Sequence, residues 1–366
     1  MKAICDGLNL SIAAANAVKA ISGKTTVQVL EGIKISAYKD SLTLCGTDLE
    51  IAIEQKIPAN VLIEGEVVVP GKYFLDFIRK LNNEQIELSL VNNSSLKIKY
   101  GDSEGILQCY PADDFPTFNR VQFGDSFSLL QKELKDLINK TIFCASVENS
   151  RPILQGVLFE INEYELTAVS LDGYRLALIK KPLEQSTNNM SIIIPAKSLN
   201  EISKLLDKDE NPVTLCIENN KLMVDIDNIT IITRLLEGEF IMYQNIIPKN
   251  FISSVNFNKA QLEEGLERAS VLSRGIKNNL VTLDIKEKFV NIISNSEIGN
   301  IKEKLGINLI GKDIIISFNP KYISDVLKVL GDEYITLMLN TPTSPAIISP
   351  LNSNDALFMI LPIRTV

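Results

Sequence analysis

Histidine is absent from all 366 residues. That removes the commonest general base, metal ligand and triad partner together. Any catalysis would rest on Asp, Glu, Lys, Tyr, Arg or Cys. Also missing are the G-x-x-x-x-G-K-[ST] phosphate loop, the G-x-G-x-x-G dinucleotide fingerprint and an EF-hand loop. The five cysteines (Cys5, Cys45, Cys109, Cys144 and Cys216) are scattered, with no C-x-x-C pair. This favours reduced core thiols over a disulfide frame or a zinc site, and no metal or cofactor is expected. No apolar run approaches the length of a bilayer span. The N-terminus lacks the basic stretch, apolar run and small-residue cleavage site of a secretory signal. A cytoplasmic protein is expected.

An excess of positive charge is missing too. The net charge is −8. Cut near residues 122 and 249, the chain carries 12, 13 and 12 basic residues against 15, 18 and 12 acidic ones. No third is basic overall, so a nucleic-acid surface would have to come from the arrangement of charges. The carboxylate pair Asp113–Asp114 lies between Pro111 and Pro116 and reads as an exposed connector.

What is present is a core-forming composition, 45% hydrophobic and 22% charged, and a long internal repeat. LTLCGTDLEIAIEQK at 42–56 has a twin in LTAVSLDGYRLALIKK at 166–181. Asp48 and Asp172 are 124 residues apart, as are Gly32 and Gly156. VVVPGKYFLDFIRKL at 67–81 returns as IIIPAKSLNEISKLL at 192–206 and again as ISFNPKYISDVLKVL at 316–330. Several anchors keeping one offset through two steps indicate three homologous domains of about 120 residues, expected at 1–121, 122–248 and 249–366.

Each unit opens with an amphipathic helix, clearest at 132–146 and 259–273. Alternating strands follow, then a short buried strand leading through Pro70, Pro195 or Pro320 into a second helix. The expected class is α+β, with antiparallel sheet on one side and two helices on one face in each unit. Residues 111–120 and 237–249 read as connectors. The second helices repeat two cations: Lys72 and Arg79, Lys197 and Lys204, Lys321 and Lys328. Seven residues is nearly two turns, so each pair shares a face, opposite the apolar positions such as Ile323, Val326, Leu327 and Leu330. A continuous basic surface of this kind suits a phosphate backbone, without base readout. Lys19, Lys140 and Arg268 repeat the device more loosely on the first helices.

The motifs GTDLE (46–50), PADDFP (111–116), RPILQG (151–156), DGYRLA (172–177), FNPKYISDVL (318–327) and LPIR (361–364), set in a threefold repeat, resemble the bacterial sliding clamp family, the beta subunit of DNA polymerase III. The resemblance covers the whole chain. It implies a head-to-tail homodimer whose six domains close a ring with basic helices facing the pore. Double-stranded DNA is then bound topologically, and the polymerase is held without any chemistry by the clamp. DNA contact at Lys24 is a further implication.

The resemblance also implies a pocket between the second and third domains for short peptide motifs of the polymerase alpha subunit, the clamp loader, other polymerases and repair proteins. One wall is Leu154, Leu171, Gly173, Tyr174, Arg175 and Leu176, with Ile241, Asn245 and Ile246 from the connector. The other is Asn319, Tyr322, Thr343 and Pro345, with Met359, Leu361, Pro362, Ile363 and Arg364 near the chain end. Leu171 and Tyr174 stand where the family has threonine and histidine, and the connector lacks the family's proline at Ile241. Dimer contacts are implied around Ile106 and Leu107 in the first domain and Val271 and Leu272 in the third. Two other readings remain at this point: an enzyme using Asp172 and Arg175, and a monomeric repeat scaffold with no DNA role.

Overall fold

Alternation in the strands and a 3.6-residue period in the helices set which side chains meet in the core. The computed structural model describes all residues except 24, 82–84, 119, 121–123, 208, 274–279, 298 and 365–366. Six α-helices are present among the described residues: α1 (Gly7–Val18), α2 (Gly71–Ile78), α3 (Gln131–Thr141), α4 (Ala196–Ser203), α5 (Lys259–Ser273) and α6 (Pro320–Val329). The expected helix at 132–146 is shorter than its apolar spacing suggests. It stops at Thr141 and continues as a tighter 3₁₀ turn, Ile142–Cys144.

Local chemistry explains the helix starts. The Asp6 carboxylate accepts the Asn9 N–H and caps α1, and the Asn319 side chain accepts the Lys321 N–H and caps α6. Pro320 is the first residue of α6, where no N–H is needed. Among the described residues no helix is long and apolar enough to cross a membrane.

The chain divides into two compact units, residues 1–135 with 197–235, and 136–196 with 236–366. The first holds a twelve-stranded sheet. Its main path runs Ser103–Gln108, Ser95–Tyr100, Gln85–Val91, Lys2–Asp6, Ile51–Ile63, Ile229–Arg234, Lys221–Ile226, Pro212–Glu218 and Asp125–Leu130. Gly32–Tyr38, Ser41–Thr47 and Gly65–Pro70 pair alongside. The second unit holds a seven-stranded sheet in the order Gly156–Leu171, Arg175–Pro195, Ala356–Ile360, Ala346–Pro350, Tyr334–Leu339, Ser253–Asn258 and Asn308–Gly311. It also has a four-stranded sheet, Gly299–Gly306, Phe289–Ser296, Val281–Lys286 and Ile314–Phe318. Among the described residues every strand pairing is antiparallel. In the first unit α1 and α2 lie together against the sheet, as α5 and α6 do in the second.

Two pairings cross the repeat. Ile51 faces Thr233 in the first unit, and Arg175 faces Ile360 in the second. All five cysteines are free, and burial pushes the Cys5 and Cys45 thiols up to about 12 and Cys109 to about 11.

Candidate functional site

The twin turns are built alike. Asp48 Oδ1 accepts N–H groups from Glu50 at 3.0 Å and Ile51 at 2.9 Å. Asp172 Oδ1 accepts them from Tyr174 at 2.9 Å and Arg175 at 3.0 Å. Aspartate favours this turn because its short carboxylate reaches backbone two and three residues on. The next residue is left-handed in both, Leu49 at φ 77° and Gly173 at φ 90°. Each second carboxylate oxygen meets a cation: Lys197 Nζ donates to Asp48 at 2.6 Å, and Arg175 Nε to Asp172 at 2.9 Å.

Arg175 is 9% exposed. Besides Asp172 it donates to Asp325 at 2.7 Å and to the Phe143 carbonyl at 2.7 Å. Its guanidinium also lies 5.4 Å from the Phe143 ring and 4.7 Å from the Tyr322 ring. Burial alone would lower its pKa, but the bonds to Asp325 and Asp172 hold it above the usual arginine value. The resemblance put Tyr174 and Arg175 in one pocket wall, and both line the same cavity, at different depths. Arg175 is a pinned internal cation. Tyr174 is 58% exposed and stacks on Tyr322 with ring centroids 6.3 Å apart.

Beneath them Leu154, Leu171, Leu176 and Met359 are buried in one apolar cluster, with Ile241 half-buried against it. Leu158, Val169, Leu178, Ile193, Tyr243 and Ile347 complete this cluster and escaped the sequence reading. Strand alternation alone could have assigned the first four to a core. Leu171 therefore continues a hydrophobic floor where a threonine would interrupt it.

Gly173, Asn245, Ile246, Thr343 and Arg364 are exposed, and Asn319, Tyr322, Pro345, Leu361, Pro362 and Ile363 are half-buried. The terminal segment is tied on both sides. The Leu361 N–H donates to the Tyr174 carbonyl and the Ile363 N–H to the Ser317 carbonyl, each at 2.8 Å. Asn319 serves as a helix cap, which accounts for its side chain without a ligand.

A cavity of about 640 Å³ opens beside the stacked tyrosines. Its lining includes Phe143, Glu148, Asp172, Arg175, Asp325 and both cations of α6, Lys321 and Lys328. Asp325 went unnoticed in the sequence, though a signal exists: Asp76, Glu201 and Asp325 repeat one acid four residues after the first lysine of each second helix.

That acid changes the basic faces. All six expected cations (Lys72, Arg79, Lys197, Lys204, Lys321 and Lys328) are exposed, but they are not equally free. Lys204 pairs with Glu201 at 2.7 Å, and Lys197 with Asp48 at 2.6 Å and Glu50 at 3.6 Å. The hydrogen bond that Lys197 donates to Asp48 leads in raising the Lys197 pKa, against burial. Among the described residues no carboxylate pairs with Lys72, Arg79, Lys321 or Lys328. On the first helices, Lys140 is tied to Asp136 at 2.8 Å and Arg268 to Glu303 at 2.6 Å. Lys19 instead sits close enough to Glu201, Lys204 and Arg79 to feel their charges. Burial, Lys204 and Arg79 lower its pKa while Glu201 opposes them. Three cations thus converge in the first unit. Lys24 lies outside the described residues. Ile106 and Val271 are each 59% exposed, and Leu107 and Leu272 are half-buried.

Models of the DNA polymerase III beta subunit match the chain three times. The N-terminal domain matches residues 1–119, the central domain 128–241 and the C-terminal domain 244–364. The chain is 34% identical over 358 residues to beta sliding clamps of Staphylococcus epidermidis and Staphylococcus aureus, 95% of each chain being covered. Its fold is similar to a crystal structure of the DNA polymerase sliding clamp from Bacillus subtilis, with a TM-score of 0.97 and 31% identity over 100% of both chains. It is also similar to a sliding clamp from Pseudomonas aeruginosa bound to griselimycin, with a TM-score of 0.95 and 25% identity over 100% of both chains.

Proposed function

The chain belongs to the DNA polymerase III beta subunit family, and on that premise we propose that it is a sliding clamp. It is a cytoplasmic, non-catalytic ring that encircles double-stranded DNA and keeps the replicative polymerase on its template. Three domains, 1–121, 122–248 and 249–366, are contributed by each copy of a head-to-tail homodimer. Contacts around Ile106 and Leu107 meet those around Val271 and Leu272 of the other copy. The single observation that carries the DNA role is the threefold recurrence of exposed cations on the second helices of a chain whose net charge is −8. Such contacts are sequence-independent and weakened by salt. The topological link provides retention, and loose contacts permit sliding.

The polymerase, the clamp loader and repair proteins dock through short peptides on the floor made by Leu154, Leu171, Leu176, Ile241 and Met359. Tyr174, Tyr322 and the terminal Leu361–Arg364 segment form its margins. An apolar floor with few polar anchors fits capture of an extended hydrophobic motif. The experiment is to load the protein onto nicked circular DNA with a clamp loader and then linearise the circle. Retention on circles with escape from linear ends is expected. Equal retention on both would overturn the reading.

A further inference from the structure

Residues 237–247 contain no proline, so hydrogen bonds and side-chain packing set the course of this connector beside the peptide floor. Its turn is pinned from inside. Tyr243 opens the 3₁₀ turn Tyr243–Asn245 and is 5% exposed, packed in the apolar cluster with Leu154, Leu158 and Leu171. Its hydroxyl donates to the Glu160 carboxylate. Glu160 lies on the strand Gly156–Leu171, which pairs along its length with Arg175–Pro195, so the acceptor is held in place. Burial, and then Glu160, raises the Tyr243 pKa above the usual phenol value, which keeps the hydroxyl a donor. A buried hydroxyl without a partner is costly, so this bond selects one placement of the turn. The backbone closes it: the Asn245 N–H donates to the Met242 carbonyl at 3.2 Å and the Ile246 N–H to the Tyr243 carbonyl at 3.1 Å.

With Tyr243 turned inward, its neighbour Met242 is 73% exposed and Ile246 is 42% exposed. Ile241, one residue earlier, is half-buried against the floor. The apolar floor thus continues onto the connector without a polar break at 241–242. The Asn245 amide reaches the Met242 sulfur at 3.9 Å, which ties that side chain to its own turn. An unbranched thioether accommodates apolar partners of different shape. We propose that Met242 is a specificity-determining contact for docked peptides, taking a second apolar side chain beside the one on the floor, and that Tyr243 acts through Glu160 as the positioning residue that presents it. This preference rests on the peptide-docking reading. It adds the class of peptide favoured, an extended segment with two separate apolar residues. The occupant is the peptide already seated on the floor, because Met242 directly follows Ile241 in the chain. In an extended peptide, side chains two residues apart share a face and stand about 7 Å apart, a spacing that a methionine beside Ile241 can meet.

The test uses short overlapping fluorescein-labelled peptides tiled along the polymerase alpha subunit, with binding read by fluorescence anisotropy. The peptide that wild type binds then has each apolar residue replaced in turn by serine. Serine at the anchor should abolish binding, and serine at one second position should weaken it about tenfold, as loss of one apolar contact implies. Met242→Ser should weaken the parent peptide by the same factor and bind the second-position serine peptide as wild type does. Met242→Leu should bind both as wild type does. Tyr243→Phe removes only the hydroxyl. It should weaken the parent peptide about fivefold, the factor for one hydrogen bond, and leave the second-position serine peptide unchanged. Glu160→Ala should do the same, while Glu160→Gln, which still accepts the bond, should keep wild-type binding. A general loss of structure would weaken both peptides alike. Met242→Ser that binds the parent as wild type does, or Tyr243→Phe that weakens both peptides equally, overturns the inference and leaves docking intact. Wild type that binds no peptide of the set overturns the docking reading itself.

Discussion

Asp48 and Asp172 make the same turn with different residues in its left-handed position. Leu49 there carries backbone strain that Gly173 does not. Nothing lies within 4 Å of where a Gly173 Cβ would stand, so Gly173→Ala isolates that strain from packing. It should lower stability by about 1–2 kcal/mol in urea unfolding. At the twin, Leu49→Gly should be more stable than Leu49→Ala, since both lose the side chain and only alanine keeps the strain. Equal stability of the two would refute the assigned geometry. The turn was legible because Asp-Gly and its repeat are local. Arg175's role was not, because it depends on Asp325, 150 residues away, and on rings of Phe143 and Tyr322 that close around it only in the fold.

At the scale of elements, period and spacing located the second helices, and the 259–273 helix matches its expected span. Lengths were less legible where a helix tightens into a 3₁₀ turn, as after Thr141. Charge was the larger omission. Counting cations alone gave each second helix two positive groups. The acid between them (Asp76, Glu201 or Asp325) shares the face, and in α4 it engages Lys204. Reversing Lys197 and Lys204 would therefore disturb ion pairs as well as DNA contact. Lys72 and Arg79 are the cleaner probe. The pair Lys72→Glu and Arg79→Glu should weaken the salt-dependent association of the protein with duplex DNA. The slope of log affinity against log salt should shrink by about 2, close to one unit per lost phosphate contact, with the melting temperature unchanged. An unaltered slope would remove α2 from the DNA surface.

At the scale of the whole molecule, the repeat and the packing divide the chain differently. Sequence offsets cut it into three similar thirds, yet the compact units split the middle third between them. The cause is strand pairing. Ile229–Arg234 adds to the sheet of the first repeat through Ile51–Gln55, and Arg175–Ile179 adds to the sheet of the third through Ala356–Ile360. Backbone hydrogen bonds along those edges, and the buried faces above them, tie each half of the middle repeat to its neighbour. Offsets in a sequence record common descent and carry no information on which edge a strand joins, so this division could not be read there. Cooperative opening follows contacts rather than descent. In native-state hydrogen exchange with added denaturant, amides of 212–234 should therefore open together with those of strands 51–63 and 85–100. Amides of 156–195 should open with those of 334–360. Exchange in which 156–195 and 212–234 form one cooperative group, apart from both neighbours, would show that the middle repeat folds as its own unit.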